Sequence, residues 1–251
     1  MKVSAYIPCY NNEATLEKCI NSIKGQSVPV DELFIVDDDS SDSTADIARD
    51  EGVRIVTMNC NQGRGAVRKK AMEVAKYEFV LCCDATLELD SEFIEKGLSY
   101  LQEERIVAVF GKVRQRIKKT VVDRWRSIYL FKEYNHFNIL HNIGLLTGGA
   151  ILKKKPVLGV GNFDATLRHS EDSDLGSRLN NAGFDTVSDS TMIMYSMTND
   201  GLMKTMERYW RWHVGVEGNV SIKVYLKNIW FSIRVMVYQD CCDWDFGRAL
   251  I

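Results

Sequence analysis

The chain has 251 residues, 45% of them hydrophobic and 26% charged, with a formal net charge of −2. These values suit one sizeable core, argue against wholesale disorder, and give no bulk-charge case for binding nucleic acid. No run reaches about 18 uninterrupted apolar residues, so no membrane-spanning helix is expected. The start, MKVSAYIPCY, is too short and too interrupted for a signal-peptide core.

From the N-terminus, VSAYIP (3–8) reads as a buried strand stopped by Pro8. A helix follows, with Asn12 as N-cap, apolar positions at Ala14, Leu16, Cys19, Ile20 and Ile23, and a stop at Gly25. ELFIVD (32–37) is the next strand and runs into the polar turn DDSSDS. Thr44 to Asp50 reads as a short helix, VRIVTM (53–58) as a strand, and AVRKKAMEVAK as a helix preceded by Gly63 and Gly65. EFVLCCD (78–84) is a strand ending in an acidic turn; helix SEFIEKGLSYLQEE and strand IVAVFGKV follow. Strands separated by 10–15-residue helices predict βαβ units, a mostly parallel sheet, and helices on both of its faces. Ligands of such sheets sit beyond the carboxyl ends of the strands.

The second half is less regular. Lys112, Arg114, Arg116 and Lys118 alternate with Val113, Gln115 and Ile117, a strand pattern with one basic face. Residues 121–140 are aromatic-rich and predict a helix, GLLTGGAILKK a glycine turn entering a strand, and SEDSDLGSRLNNAGF a helix with Ser170 as N-cap and Gly183 as C-cap. Charge is uneven: residues 31–51 hold nine acids and one base, residues 105–155 twelve bases and two acids. The second region suits an anionic partner or a solvated basic face. Seven cysteines, an odd number with no CxxC, point to reduced thiols in a cytosolic protein rather than disulfides or a zinc ribbon.

Several turns carry chemistry. The carboxylates Asp37-Asp38-Asp39 crowd one strand end and invite a hydrogen-bonding partner such as a base N–H or a ribose hydroxyl; the plainer reading is a solvated, capping turn. Asp84 ends another strand, where it could hold a ribose hydroxyl or a divalent cation, or simply cap a turn. NQGRGAVRKK sets glycines and Arg64 at a helix start that favours phosphate, without the GxxxxGK of a P-loop. Glu171 and Asp172 open a helix as dipole partners or as a general base.

Taken in order, IPCYNN, FIVDDDSSDST, NQGRGAVRKKAM, VLCCDATLELDSEF, TGGAILKK and GVGNFDATLRHSEDSDLGSRLNNAGF resemble the inverting family-2 glycosyltransferases of the GT-A fold, over roughly residues 1–190. The resemblance implies a GT-A-type α/β domain over 1–200, with a nucleotide-binding half (1–105) and an acceptor half (106–200); the residues beyond read as an aromatic and basic helical extension (201–251). It implies that Pro8 and Tyr10 line the nucleotide base, with Asn11 and Glu13 nearby. Asp38 reads the base, Arg68 lies near the base and phosphates, Asp84 with Ala85 meets the ribose and metal, and Asp172 is the catalytic base. The activity implied is transfer of a sugar from a nucleoside-diphosphate donor, UDP before GDP, to a glycan or lipid-linked acceptor in cell-surface polysaccharide or glycolipid synthesis.

One departure concerns the metal. The family's Asp-Ala-Asp reads Asp84-Ala85-Thr86 here, and a neutral hydroxyl is a weak substitute for the second acid. Weak dependence on Mn²⁺ or Mg²⁺ is therefore expected, with Glu88 a compensating ligand or basic residues neutralising the diphosphate. A catalytically degenerate sugar-nucleotide-binding or scaffold protein is the alternative that Thr86 supports and that Glu171-Asp172 opposes. A nucleotidylyltransferase ranks lower, because IPCYNN has no glycine. Beyond residue 200, Tyr209, Trp210, Trp212, Trp230, Phe231 and Trp244 lie among Arg208, Arg211, Lys223, Lys227 and Arg234. This suits a peripheral position on the cytoplasmic membrane face; an aromatic core or a homodimer interface are the other readings. RYWRW is distantly similar to the QxxRW motif of membrane-embedded polysaccharide synthases, with Arg208 at the glutamine position.

Overall fold

The apolar runs of the first half become strands that line up side by side. β1 (Val3–Cys9), β2 (Glu32–Asp37), β3 (Arg54–Thr57) and β4 (Phe79–Cys83) are all parallel, with β1 between β2 and β4. The crossovers are α1 (Leu16–Lys24), α2 (Thr44–Asp50) and α3 (Arg64–Val74). This computed structural model describes residues 1–133, 138–198 and 200–214, together with Leu226 and Trp230. Phe231, Trp244, Lys223, Lys227, Arg234, Cys241 and Cys242 lie outside the described residues, as do the side chains of Trp210, Arg211 and Trp212.

The second half extends the sheet with antiparallel strands. Its elements are β5 (Leu87–Leu89), α4 (Phe93–Tyr100), β6 (Ile106–Gln115), α5 (Val121–Trp125), a π-helical turn (Arg126–Leu130), β7 (Ile139–His141), β8 (Gly149–Lys153), α6 (Lys154–Gly159), α7 (Glu171–Asn181), β9 (Asp185–Ser196) and α8 (Leu202–Val214). The order is β3-β2-β1-β4-β8-β6-β9-β5, with β7 paired to β9. β8 is antiparallel to β4 and β6, and β9 to β5 and β7. Beyond β4 the sheet thus departs from the pure βαβ pattern.

Alternation along β1 explains the two-sided core. Val3, Ala5, Ile7 and Cys9 pack with α1 and α4; Tyr6, facing the other way, packs with α3 and α7. Cys9, Cys19, Cys82 and Cys83 are buried free thiols, and burial pushes Cys82 up to about 12, so it is inert as a nucleophile. Cys60 is free and exposed.

The chain forms two compact units. One comprises Met1–Val113 and His136–Thr198, the other Arg114–Asn135 and Asn199–Ile251. In the second, Thr120 and Asp123 form a capping box that starts α5, and Trp125, Tyr129 and Leu130 form a small aromatic core.

Local details differ from the sequence reading. The helix expected over 121–140 ends at Leu130, because Lys132 takes a left-handed φ of 50° and Ile139–His141 pair with β9 instead. The alternating basic strand stops at Gln115, so of its bases only Lys112 and Arg114 are in β6. Asn12 does not cap α1, which starts at Leu16; its amide oxygen accepts from the Tyr10 N–H, and its backbone carbonyl accepts from Thr15 and Leu16. Ser170 precedes α7 as expected, but in a left-handed conformation and without a side-chain cap bond.

Candidate active site

The loops after β1 and β2 are sewn together beyond the carboxyl end of the sheet. The Asn11 N–H donates to Ser40 Oγ (2.9 Å), Asn11 Oδ1 accepts from the Ser41 N–H (2.9 Å), and Glu13 Oε2 accepts from the Ser43 N–H (3.1 Å). Asp42 accepts from the Glu13 N–H (3.0 Å) and the Thr44 hydroxyl; these bonds outweigh the opposing effect of desolvation and hold its pKa below the usual value. Tyr10 stands exposed on this loop pair, at the end of the strand that carries Pro8. An exposed ring held by a fixed loop is a platform for a planar ligand.

Asp38 is buried, and its two carboxylate oxygens accept from the backbone N–H groups of Gln62 and Gly63, each at 2.8 Å. The Gly65 N–H donates to the Leu167 carbonyl at 3.0 Å. Three amides of the NQGRG turn that could have cradled a phosphate are therefore already used, and Asp38 shapes the entry to α3. Gly65 is required there: a Cβ would lie 2.1 Å from the Asp164 carbonyl oxygen. That close approach joins the start of α3 to the segment leading into α7.

One turn into α3, Arg68 is 1% exposed. Its Nη2 donates to Asp84 Oδ1 (2.6 Å), its Nε to Glu171 Oε1 (3.0 Å), and its Nη1 to the Thr147 carbonyl (3.3 Å). Burial works against the guanidinium's charge, but Asp84, Tyr6 and Glu171 overcome it and raise its pKa well above the ordinary value. Arg68 is thus a permanent buried cation between carboxylates of β4 and α7.

Asp172 follows Glu171. Its Oδ2 accepts from the Thr147 N–H (3.4 Å) and its Oδ1 from the Ser173 N–H (2.9 Å). Desolvation pushes its carboxyl above the ordinary value and Glu171 adds to the rise; Arg68 and the two N–H groups pull the other way. Thr147 is the residue that the sequence reading passed over. Its backbone meets both Arg68 and Asp172, and its buried hydroxyl has no hydrogen-bond partner among the described residues. The signal was the TGG that starts the strand: Gly148 accepts from the Asp84 N–H at 2.8 Å, and a Cβ on Gly149 would lie 2.6 Å from Met194 Sδ.

Arg68 thus gathers Asp84, Glu171 and Thr147, and Thr147 in turn holds Asp172. Ala85 is buried beside Asp84, and Thr86 lies one residue further on. Glu88 lies on β5 opposite Tyr195 of β9, and alternation sets it on the face away from buried Leu87 and Leu89. Among the described residues no three His, Cys, Asp or Glu side chains group as metal ligands. Asp84 is already paired with a guanidinium and Thr86 is neutral, so this donor set does not make a protein-built divalent-cation site. A separate cavity of about 440 Å³ lies between Lys69, the 160–166 loop and Arg178, and does not include these residues.

The sequence matches the glycosyl transferase family 2 profile over residues 4–159. It is 32% identical over 143 residues to a poly(ribitol-phosphate) beta-glucosyltransferase of Bacillus spizizenii, covering 54% of this chain and 22% of that protein. The chain spans from 22% to 57% of the length of the first curated relatives it matches. S. aureus TarS 1–349 in complex with UDP-GlcNAc superposes with a TM-score of 0.62 at 19% identity, over 80% of this chain and 60% of that one. Mannosyltransferase PcManGT from Pyrobaculum calidifontis, in complex with GDP-Man and Mn²⁺, gives 0.62 at 15% identity, over 99% and 73%. These likenesses show a GT-A-type fold.

Two stability measurements test the site. Arg68→Ala leaves two carboxylates without their buried cation and should cost about 3–5 kcal/mol by urea denaturation; a loss under 1 kcal/mol would mean the network is not the anchor. Thr147→Val keeps the shape and removes an unsatisfied hydroxyl, so stability should rise by about 1 kcal/mol. A fall would show that the hydroxyl has a partner.

Proposed function

The chain belongs to glycosyl transferase family 2, and from that membership we propose that it transfers a sugar from a nucleoside-diphosphate donor to an acceptor hydroxyl with inversion. The observation that carries this reading is Arg68, whose one guanidinium is bonded both to Asp84, at a strand end where a donor binds, and to Glu171, the neighbour of Asp172. In this reading Pro8, Tyr10, Asn11, Glu13 and Asp38 border the base, Asp84 and Ala85 the ribose, and Arg68 fixes the distance between donor and acceptor sides. UDP is favoured over GDP, in keeping with the UDP-GlcNAc of TarS. The acceptor is a glycan or lipid-linked chain of a cell-surface polymer, in keeping with the poly(ribitol-phosphate) relative, and the enzyme works at the cytoplasmic membrane face.

The mechanism needs one displacement. Asp172 takes the proton of the acceptor hydroxyl as its oxygen bonds to the anomeric carbon. The bond from that carbon to the diphosphate oxygen breaks, and the nucleoside diphosphate leaves with the electron pair. Attack opposite the leaving group inverts the centre. The Thr147 and Ser173 N–H groups hold Asp172 in place, and desolvation strengthens it as a base.

Asp172→Asn should lower turnover about 10²–10⁴-fold with donor affinity nearly unchanged. A carboxyl with a raised folded-state pKa weakens the fold once ionised, so this variant should be no less stable at neutral pH. Asp172 must be ionised to act. The acid limb of kcat should therefore lie above that of an ordinary aspartate, and Glu171→Gln, by removing a like charge, should move it to lower pH. Normal turnover in Asp172→Asn would assign the base to another group. A donor-hydrolysis assay with no product from any nucleotide sugar would favour the degenerate binding protein that Thr86 suggests.

Metal dependence is proposed to be weak, because the local donor set is one guanidinium-paired carboxylate and a neutral hydroxyl. Thr86→Asp should increase stimulation by Mn²⁺. Complete loss of wild-type activity in EDTA with recovery by Mn²⁺ would refute this.

A further inference from the structure

α8 is an amphipathic helix turned inside out. Thr205 is fully buried, Tyr209 packs edge-on against Trp125 at 5.3 Å between centroids, and Arg208 Nη2 reaches the Asp200 carboxylate at 2.8 Å. The spacing of Thr205, Arg208 and Tyr209 defines one side of a 3.6-residue helix, the side held by its own unit. Leu202, Met206 and Met203 form the arc beside it, 40%, 44% and 80% exposed, and Lys204 and Glu207 complete the exposed surface. An amphipathic helix normally turns its apolar arc toward a core. Here the mixed polar side is anchored and the apolar arc faces out. Leu226 and Trp230, four residues apart, are also exposed, at 57% and 62%, as is Ile117 between Arg116 and Lys118.

Charge selects the occupant of that arc. Residues 114–135 and 199–251 carry fourteen bases and eight acids, a balance of +6 in a chain whose total is −2. Arg114, Arg116, Lys118, Lys119 and Lys132 of this unit are exposed, so a second copy would bring like charge against like charge. An anionic lipid surface offers the opposite charge together with an apolar layer for methionine, leucine and tryptophan. No helix among the described residues is long and apolar enough to cross a membrane.

We propose that α8 lies in the plane of an anionic lipid bilayer, with Leu202, Met203 and Met206 entering its headgroup–acyl boundary and exposed bases of the same unit, among them Arg114, Lys119 and Lys132, meeting the lipid phosphates. This names the part of the chain that meets the membrane in the function proposed above. It rests on that reading only for the location, since lipid binding needs neither the donor nor Asp172.

The full chain should be sedimented with vesicles of phosphatidylglycerol and phosphatidylcholine, and with phosphatidylcholine alone. Expected are pelleting with the anionic vesicles at low salt, release at high salt, and on the order of a tenfold weaker partition for Met203→Glu/Met206→Glu. A thermal melt matching the wild type confirms that this variant is folded. A gentler pair, Met203→Ser and Met206→Ser, serves if it is not. No pelleting with anionic vesicles overturns the proposal, as does pelleting that neither variant weakens. A dimer without lipid that either variant converts to monomer overturns it in favour of a second copy. None of these outcomes alters the Asp172→Asn kinetics, so failure here is distinguishable from failure of the transferase reading.

Discussion

A guanidinium with no access to water must find all its partners inside the protein, and Arg68 finds them on three separate segments. Asp84 ends β4, Thr147 precedes β8, and Glu171 starts α7, so one side chain ties the parallel half of the sheet to the antiparallel half. Removing water from such a group costs several kcal/mol, and only a full set of fixed acceptors offsets it. The geometry is correspondingly rigid, since any shift of α7 relative to β4 would break a charged bond in a low dielectric. The two carboxylates are thereby held at fixed positions, and Asp172 follows the second of them in the chain.

The surrounding loops follow from the same constraint. α3 can present Arg68 only if its first turn lies against the 164–167 segment, which excludes any side chain at residue 65. Asp38 holds the approach to that turn through two backbone amides. Asp38 and Arg68 thus have structural duties beside the nucleotide contacts proposed for them. Asp172 is different. Its carboxyl is desolvated, faces a like charge and is incompletely compensated, a combination poor for stability and suited to accepting a proton.

The second unit obeys another logic. Its small core is aromatic, and its buried Asp200 meets Lys204 and Arg208 of α8. Holding Thr205, Arg208 and Tyr209 inward leaves Leu202, Met203 and Met206 exposed. In water this is a net cost, which a lipid surface would remove.

How much of this was legible beforehand depended on range. The parallel strands and α1, α3 and α7 could be read because period-2 and period-3.6 patterns are local, and Asp38, Arg68, Asp84 and Asp172 stood out because their motifs occur in a specific order. β9 could not be read. Its Thr186, Asp189 and Ser196 look like loop residues, yet they are buried because Ile143, Tyr100 and Thr198 satisfy them from elsewhere in the chain. The helix expected over 121–140 was cut short by pairing with that same strand. Thr147 was marked only by the glycines that follow it, because its role lies in a carbonyl and an amide that every residue has. Residue types and spacing determined which groups could do chemistry. Which of them meet was decided by long-range closure, because a buried charge or polar group is stable only where distant segments bring it a partner.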